Sequence, residues 1–418
     1  MTKPSHSHSR SDMRFITPAI ICTLFLFAAA LSGCTKKIWL DNLPPTRMGR
    51  LDPIDNATAA AISLPDLNRI DNAVIESIRD ENIPGAVVVV GYRGKVVFAR
   101  AYGYRSIVPM HRAMKPDTLF DVASLTKVVA LAPSVMKLYE QGKLDIDDPV
   151  SKYLPDFAQN GKGAVTIKQL LTHTSCMPFS DDLAQYERGK ERALEYIYQL
   201  KLKCEPGSRF IYSGIGYIVL AEVVDRVSGE RLDRFSREHI FKPLGMRKTR
   251  FNPGWFQKIG AAPTEFRDGR WLQGSVEDPR AEYLGGVSGH AGLFSTAGDL
   301  AIFSEMMLAR GAYNGKRIFK PQTIEEMTKP QTPKDMSAVR GLGWDIQTEY
   351  SSPRGDYFPP GSYGHTGFTG TSMWLDPQSQ TFVIILTNRV HPLGSKSRGI
   401  NPLRREIANI VATAVYLR

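Results

Sequence analysis

The stretch FDVASLTKVVA, Phe120 to Ala130, determines how the rest of the sequence is interpreted. It places Ser124 three residues before Lys127, where an aspartate and small residues give way to an apolar run. Residues three apart share one face of a helix, so the Lys127 amine can reach the Ser124 hydroxyl. A desolvated lysine there could lose its proton and activate the serine as a nucleophile. The alternative is an ordinary first turn in which Ser124 only caps a buried helix.

A second Ser-x-x-Lys pair, Ser134 and Lys137, serves as an internal control. Ser134 follows Pro133 inside a continuing apolar pattern, so we expect it in mid-helix. Ser124 instead opens the predicted helix, where unpaired backbone N–H groups and the helix dipole favour developing negative charge. The first pair is therefore the candidate for catalysis.

The composition is that of an ordinary globular protein. Hydrophobic residues make up 42% of the 418 residues and charged residues 23%, which excludes a disordered or membrane-filling chain. The net charge of +11 comes from scattered basic residues that are not clustered with aromatics. The sequence therefore does not indicate nucleic-acid binding, although attraction to an anionic envelope surface is consistent with the charge.

The N-terminus reads as a secretory signal. A basic start at Arg14 precedes a short apolar run and the sequence LSGC, which ends at Cys34. LSGC resembles the lipobox of bacterial lipoproteins, so residues 1–33 are predicted to be a signal peptide and Cys34 to be lipidated. Residues 34–64 are predicted to be a tether. The alternative is an uncleaved anchor helix, and Thr35 resembles outer-membrane sorting if the host has an outer membrane.

Strand patterns lie at both ends of the chain and helical patterns lie between them. Two apolar segments flank Arg93-Gly94 like a β-hairpin, and the continuous apolar run TFVIILTN suits a central strand. We therefore predict an α+β fold over 65–418, an antiparallel sheet built from both termini with flanking helices and an inserted, mainly helical part. The predicted sheet part is about 65–123 and 335–418 and the helical part about 124–334, with the site between them.

Two further motifs follow the Ser-x-x-Lys pair. RFIYSGIGYIVL places Tyr212 before an apolar helix, and YGHTGFTGTSMWLDP places His365-Thr366-Gly367 at the edge of a predicted strand. With these motifs in this order, the chain resembles the serine hydrolases related to class C β-lactamases, penicillin-binding proteins and D-alanyl-D-alanine carboxypeptidases. The resemblance covers roughly residues 65–418.

The resemblance implies a catalytic role for three residues. Ser124 would be the nucleophile, Lys127 its proton partner, and Tyr212 the tyrosine that shares base work in acylation and helps to activate water in deacylation. The alternative for Tyr212 is a core tyrosine with a satisfied hydroxyl group. No metal ion and no cofactor are predicted.

The resemblance also implies a strand edge along which the substrate lies. The substrate-binding residues would be His365, Thr366, Gly367 and Phe368. The backbone N–H groups of Ser124 and Phe368 would form the oxyanion hole, which stabilises charge on the attacked carbonyl. The alternative for His365 is a purely structural strand histidine.

Two departures from the family pattern bear on the substrate. Gly214 stands where the family has an asparagine that binds the substrate amide, so efficient β-lactam hydrolysis is not expected. His365 replaces a lysine, as in D-aminopeptidase and esterase relatives. An imidazole titrates at about 6.5, so we expect His365 to make the binding of anionic substrates depend on pH near neutrality.

Cys176 and Cys204 form an even pair in a chain predicted to be exported. Two buried free thiols remain the alternative on the sequence alone. The resemblance places their segments near one another beside the site, which predicts a disulfide.

The predicted function is that of a serine hydrolase that forms an acyl-enzyme on D-amino-acid peptides of the cell wall. The alternatives are an esterase or weak β-lactamase of the same family, or a non-catalytic envelope lipoprotein that binds muropeptides or β-lactams. The expected partners are a cell-wall peptide or small ester or amide substrate, and a membrane reached through the N-terminal lipid. The predicted location is the cell envelope, and the sequence does not determine the oligomeric state.

Overall fold

The structure, a computed structural model, describes residues 46–47, 61–397 and 399–417. The strands are β1 (Thr46–Arg47), β2 (Gly85–Tyr92), β3 (Lys95–Ser106), β4 (Arg112–Ala113), β5 (Phe120–Asp121), β6 (Arg250–Phe251), β7 (Pro263–Arg267), β8 (Arg270–Gln273), β9 (Leu293–Ser295), β10 (Ala312–Tyr313), β11 (Lys316–Arg317), β12 (Val339–Arg340), β13 (Asp345–Gln347), β14 (Tyr363–Thr366), β15 (Ser372–Asp376) and β16 (Thr381–Thr387). The α-helices are α1 (Leu64–Leu67), α2 (Arg69–Arg79), α3 (Ala132–Glu140), α4 (Ile167–Leu171), α5 (Lys190–Gln199), α6 (Gly214–Ser228), α7 (Leu232–Ser236), α8 (Lys242–Leu244), α9 (Trp255–Gly260), α10 (Pro279–Tyr283), α11 (Ala297–Leu308), α12 (Pro321–Thr328) and α13 (Asn401–Tyr416).

One large antiparallel sheet is built from the two ends of the described chain. Its strand order is β1-β3-β2-β16-β15-β14-β13-β12, with β4 paired to β3. The N-terminal hairpin joins the C-terminal strands through β2 and β16, where Val89 lies opposite Ile384. The predicted α+β architecture, with a sheet assembled from both termini, is confirmed.

Local sequence explains the centre of this sheet. Arg93 and Gly94 both have positive φ angles, 50° and 74°, as a tight turn between β2 and β3 requires. Every residue of β2 and β16 is buried, so both faces of the central strands are covered. Helices α11 and α13 both pack against β16.

The middle of the chain is mainly helical, but it does not form a separate domain. The described residues, from Thr46 onward, belong to one compact unit. Its largest hydrophobic cluster contains Val87 and Val89 of the sheet together with Leu131 and Val219 of the helical part. The two predicted parts therefore share one core, and α11 from the predicted helical part covers the sheet.

The folded chain begins before residue 65. Thr46 and Arg47, within the predicted tether, pair with Ala101 and Arg100 of β3. Ile62 is buried, and the N–H of the next residue donates to a carbonyl group in α13. The tether interpretation is therefore wrong for these short segments.

The predicted signal peptide (1–33) and lipidated Cys34 lie outside the described residues. Within the part of the chain that is described, none of the helices combines the length and the apolar character that a membrane span needs.

Candidate active site

Ser124 lies in a tight turn between β5 and the helix that follows. The turn is 3-10 helical over Ala123–Leu125, the next segment, Lys127–Leu131, is π-helical, and α3 begins only at Ala132. The expected regular α-helical first turn is therefore replaced by a tighter turn and then a wider one. π-Helical segments are frequent at functional sites because they re-aim neighbouring side chains.

A buried carboxyl group holds this turn in a strained conformation. Ala123 has a φ of 47°, which is unusual for a residue with a Cβ atom. The side chain of Asp121 accepts hydrogen bonds from the Ala123 N–H (2.8 Å) and from the Glu277 N–H (2.7 Å). Asp121 therefore fixes the backbone immediately before Ser124.

Asp121 and Glu277 are both carboxyl residues with raised pKa values. Burial raises the pKa of Asp121 to about 6, although two backbone N–H donors oppose the change. Burial, and then the charge of Asp121, raises the pKa of Glu277 to about 8. Ionisation of one of these two carboxyl groups therefore disfavours ionisation of the other, next to the turn that carries Ser124.

Lys127 lies against the Ser124 hydroxyl group and is itself almost completely buried. Its Nζ is 3.0 Å from Ser124 Oγ and donates to the carbonyl oxygen of His290 at 2.8 Å. The same Nζ lies 5.2 Å from the centre of the Tyr212 ring. The structure thus brings the three predicted catalytic residues together.

Tyr212 is held by a histidine that sequence reasoning did not assign to the site. The rings of His173 and Tyr212 lie 4.4 Å apart, and His173 Nδ1 accepts a hydrogen bond from the Ser213 N–H at 3.0 Å. Burial, followed by the charges of Arg340 and Lys127, holds the pKa of His173 well below its ordinary value. His173 is therefore a neutral packing partner that orients the tyrosine.

His365 lies on β14, as the sequence predicts, but it does not carry the predicted charge. Its Nδ1 donates to the Thr366 carbonyl oxygen at 2.8 Å, while its Nε2 has no hydrogen-bond partner among the described residues. Burial, and then the charges of Arg340 and Lys127, hold the pKa of His365 well below its ordinary value. The expectation that His365 titrates near neutrality is wrong, because a desolvated imidazole beside two cations stays neutral.

Arg340 is one of three arginines that line the cavity at the site, with Arg389 and Arg404, and sequence reasoning missed them. The Arg340 side chain is fully buried, donates to the Gly343 carbonyl oxygen at 2.8 Å, and leaves Nε and Nη1 without a hydrogen-bond partner among the described residues. The nearest carboxylate, Asp345, is 3.6 Å from Nη1 and accepts hydrogen bonds from the hydroxyl groups of Thr348 and Ser351. The only available signal was an arginine directly before GLGWD.

These groups converge on one cavity of about 360 Å³. Its walls include Ser124, Tyr212, Arg340, His365, Thr366, Gly367 and Phe368. All four predicted substrate-binding residues and the nucleophile therefore face the same space. A larger surface depression of about 720 Å³ lies along residues 237–252 and 313–316 and contains none of the predicted site residues.

The control pair is placed differently. Ser134 is in α3, fully buried, and its hydroxyl group donates to the Ala130 carbonyl oxygen at 2.7 Å. Lys137 instead donates to the carbonyl oxygen of Ile318 at 2.6 Å. The second Ser-x-x-Lys pair thus makes ordinary structural contacts, in contrast to the first.

A disulfide joins the segment that follows His173 to the segment that precedes Tyr212. Cys176 and Cys204 are bonded, with Cα atoms 5.3 Å apart. Backbone hydrogen bonds run beside the bridge, from Gly207 N–H to the Thr174 carbonyl oxygen and from the Ile211 N–H to the His173 carbonyl oxygen. The bridge therefore lies in the frame that carries His173 and Tyr212.

Comparisons with known proteins agree with this geometry. The family model described as Beta-lactamase matches residues 70–405. The "N-acetylmuramyl-L-alanine amidase" of Bacillus subtilis (strain 168) is 33% identical, over 88% of this chain and 91% of that protein. The "Putative D-alanyl-D-alanine carboxypeptidase" of Escherichia coli (strain K12) is 34% identical, over 79% of this chain and 84% of that protein.

A solved structure described as "EstCE1, a hydrolase with promiscuous acyltransferase activity" is 25% identical. It covers 84% of this chain and 99% of its own, with a TM-score of 0.68. The chain belongs to the beta-lactamase family and is a serine hydrolase. The resemblance inferred from its motifs is confirmed.

Proposed function

We propose that this chain is an exported, lipid-anchored serine hydrolase that cleaves D-amino-acid peptides of the cell wall through an acyl-enzyme on Ser124. The observation that carries the proposal is the 3.0 Å contact between Ser124 Oγ and Lys127 Nζ at the wall of a substrate-sized cavity. Contact at this distance is what a nucleophile and its proton acceptor need.

The proposed reaction has two steps. Ser124 Oγ attacks the substrate carbonyl carbon, its proton passes to Lys127 or Tyr212, and the same groups return a proton to the leaving amine as the C–N bond breaks. Water then attacks the acyl-enzyme and restores the Ser124 hydroxyl group, with Tyr212 helping to remove the proton from the water. Both steps are ordinary general acid–base catalysis.

The oxyanion of each step would be held by the backbone N–H groups of Ser124 and Phe368. Among the described residues, neither N–H donates a backbone hydrogen bond. Phe368 also lines the cavity that contains the nucleophile. Removing one such donor typically costs about 3–4 kcal/mol of transition-state stabilisation.

Arg340 supports an anionic substrate. A guanidinium group with unused N–H donors inside a cavity is suited to a carboxylate, which is the terminal group of a peptide substrate. The names of the Bacillus subtilis and Escherichia coli relatives also refer to cell-wall peptides. Together these observations favour a peptide of the cell wall over a neutral substrate.

Export and lipid anchoring are supported by the N-terminal pattern. Residues 1–33 read as a signal peptide and Cys34 as its lipidated end. The Cys176–Cys204 disulfide is consistent with an oxidising compartment. The proposed location is the cell envelope, facing the periplasm or the exterior, and the outer membrane if the host has one.

Ester hydrolysis is the second candidate. Two exposed phenylalanines, Phe179 and Phe368, border the cavity and offer an apolar surface to an acyl chain. The neutral His365 also removes one charge that would favour peptide carboxylates.

The test is covalent labelling followed by intact mass measurement. The full-length protein in detergent is incubated with a fluorescent penicillin or a fluorophosphonate, in wild-type, Ser124→Ala and Ser134→Ala forms. We expect one adduct on the wild type and on Ser134→Ala, and none on Ser124→Ala. Equal labelling of both variants would exclude Ser124 as the nucleophile.

Hydrolysis assays then separate the two substrate classes. A D-alanyl-D-alanine peptide and a neutral p-nitrophenyl ester are compared by kcat/KM for the wild type. The proposal expects the peptide to be the better substrate. A higher kcat/KM for the ester would support the esterase alternative.

A further inference from the structure

Gly214 leaves a space beside the catalytic lysine that another side chain occupies. A Cβ atom added to Gly214 would meet three atoms within 4 Å, and all three belong to His290. The nearest, Cδ2 of the imidazole ring, would be 3.4 Å away, which is an ordinary contact. There is thus room for a methyl group at position 214, but a longer side chain that continues in this direction would meet the ring.

The His290 ring is held at both nitrogen atoms. Nδ1 is 2.7 Å from Ser288 Oγ, and Nε2 is 2.9 Å from Asp278 Oδ1. Asp278 is itself fixed, because its Oδ1 also caps helix α10 by accepting a hydrogen bond from the Ala281 N–H at 2.9 Å. The ring is buried and therefore has little freedom to turn.

The electrostatics agree with this arrangement. Burial alone raises the pKa of Asp278, but the charge and hydrogen bond of His290, the Ala281 N–H and the charge of Lys127 together hold it well below its ordinary value. Asp278 is therefore an ionised carboxylate, which can only accept hydrogen bonds. His290 Nε2 must then carry a hydrogen atom and donate a hydrogen bond to Asp278 Oδ1.

The backbone of the same histidine holds the catalytic lysine. The His290 carbonyl oxygen accepts a hydrogen bond from Lys127 Nζ at 2.8 Å, and Ser124 Oγ lies 3.0 Å from the same Nζ. Movement of this carbonyl group would move Lys127 Nζ away from Ser124 Oγ. The backbone position depends on the ring, because the ring is anchored to two other segments.

We propose that His290 is a positioning residue for Lys127, and that its imidazole, clamped by Asp278 and Ser288 in the space beside Gly214, fixes the backbone carbonyl group that holds Lys127 Nζ. This inference rests on the proposed function of Ser124 and Lys127. Only the backbone carbonyl group of His290 contacts Lys127 Nζ, and the side chain acts by fixing that carbonyl group. Its role is to keep Lys127 Nζ at hydrogen-bonding distance from Ser124 Oγ.

The proposal predicts that position 214 and residue 290 share one space. The test compares Gly214→Asn, His290→Ala and the double variant in the full-length protein. The measurements are the rate of Ser124 acylation by a fluorophosphonate, kcat and KM for a neutral ester, and thermal melting. His290→Ala should lower kcat about 10-fold or more with little change in KM, because an interaction that positions a proton acceptor acts on the chemical step.

Gly214→Asn should also lower kcat, because its side chain and the His290 ring compete for the same space. The double variant should recover at least several-fold over either single variant, since the asparagine can then enter the space that the ring leaves. Such non-additivity is expected only for residues in contact. Gly214→Ala should keep nearly full activity, because its added Cβ makes only an ordinary contact.

His391→Ala is the matched control for removing a buried histidine. His391 is buried, and its Nε2 accepts hydrogen bonds from the Ile107 and Val108 N–H groups, away from the cavity walls. Its loss should lower the melting temperature without lowering kcat for folded protein. If His290→Ala does not fold, Ser288→Ala removes one anchor of the ring without a large cavity and should still lower kcat severalfold.

Each outcome has a defined meaning. An unchanged kcat in His290→Ala, or in Ser288→Ala where His290→Ala does not fold, would overturn the positioning role. A double variant whose fold-loss in kcat equals the product of the two single fold-losses would show that residues 214 and 290 do not share one space. A wild type with no Ser124-dependent adduct would overturn the proposed function as well, whereas a labelled wild type with unaffected variants would overturn only the role of His290.

Discussion

Removing the Cys176–Cys204 disulfide should lower the melting temperature of the protein by about 5 °C. The bridge closes a loop with a sequence separation of 28 residues. The loop-entropy relation gives about 3.5 kcal/mol at 25 °C for a loop of this length, mostly by restricting the unfolded chain. The unfolding entropy is about 2.1 cal/mol/K per residue near the melting temperature, or about 0.75 kcal/mol/K for the roughly 350 described residues. The ratio of the two quantities gives the expected shift.

The assay is differential scanning calorimetry of the wild type, oxidised and reduced, beside the double variant Cys176→Ala/Cys204→Ala. Mass measurement after alkylation establishes that both thiols were released. Reduction should lower the melting temperature of the wild type to near that of the double variant, and should leave the double variant unchanged. A reduced wild type with two alkylated thiols and an unchanged melting temperature would refute the loop argument.

Removal of the disulfide should also lower the activity of the candidate active site. The bridge ties the segment of His173 to the segment of Tyr212, and the two rings are in contact. Loosening this frame should lower kcat more than it raises KM for a neutral ester, because Tyr212 is assigned to proton transfer and not to binding. An activity that stays constant at temperatures well below melting would show that the backbone hydrogen bonds alone hold Tyr212.

Three further predictions concern the substrate, the buried acids and the anchor. Arg340→Gln should raise KM about 10-fold or more for a peptide with a free carboxylate and much less for a neutral ester, since a hydrogen bond to a charged group contributes about 1.5–3 kcal/mol. The KM values are measured from initial rates. Equal effects on both substrates would show that Arg340 does not bind the carboxylate. Glu277→Gln should stabilise the protein relative to the wild type progressively as pH rises from about 4.5 to about 8, by a few kcal/mol at most. The sign follows because a carboxyl group with a raised pKa binds its proton more tightly in the folded state, so the folded wild type loses stability as pH rises through that window. A difference between the melting curves that is constant with pH would contradict the raised pKa of Glu277. Cys34→Ser should release the protein from membranes into the soluble fraction, as measured by fractionation and immunoblotting, and retention of an uncleaved wild-type precursor would favour an anchor helix.

Most of the fold could be predicted because its signals are local. The turn at Arg93-Gly94 and the apolar run of β16 specify their own conformation, and the order of strand and helix patterns specifies how the termini meet. The short pairing of Thr46 and Arg47 with β3 could not be predicted in this way. A two-residue strand has no periodicity of its own and depends on the edge that it meets.

Some residues of the site could be predicted from the sequence and others could not, for the same reason. Ser124, Lys127 and Tyr212 could be found because each belongs to a recognisable motif. The clamp of Asp278 and Ser288 on His290 could not be found, because its meaning depends on contact with Lys127, 163 positions away in the chain. The strained φ of the residue before Ser124 also has no signature in a sequence that reads as an ordinary helix start.

The charge of His365 shows why residue type alone does not determine electrostatics. Sequence reasoning assigned this imidazole its pKa in water, but the ring is buried beside Arg340 and Lys127, and both desolvation and like charge favour its neutral form. Guanidinium groups of the cavity wall, among them Arg340 on β12, therefore supply positive charge that the imidazole on β14 does not. Since Nδ1 donates to the Thr366 carbonyl oxygen, the neutral His365 presents Nε2 as a hydrogen-bond acceptor. Where the family pattern has a lysine, which donates, this chain therefore has a hydrogen-bond acceptor, and under the proposed function the substrate carboxylate would be bound by Arg340 on a different strand.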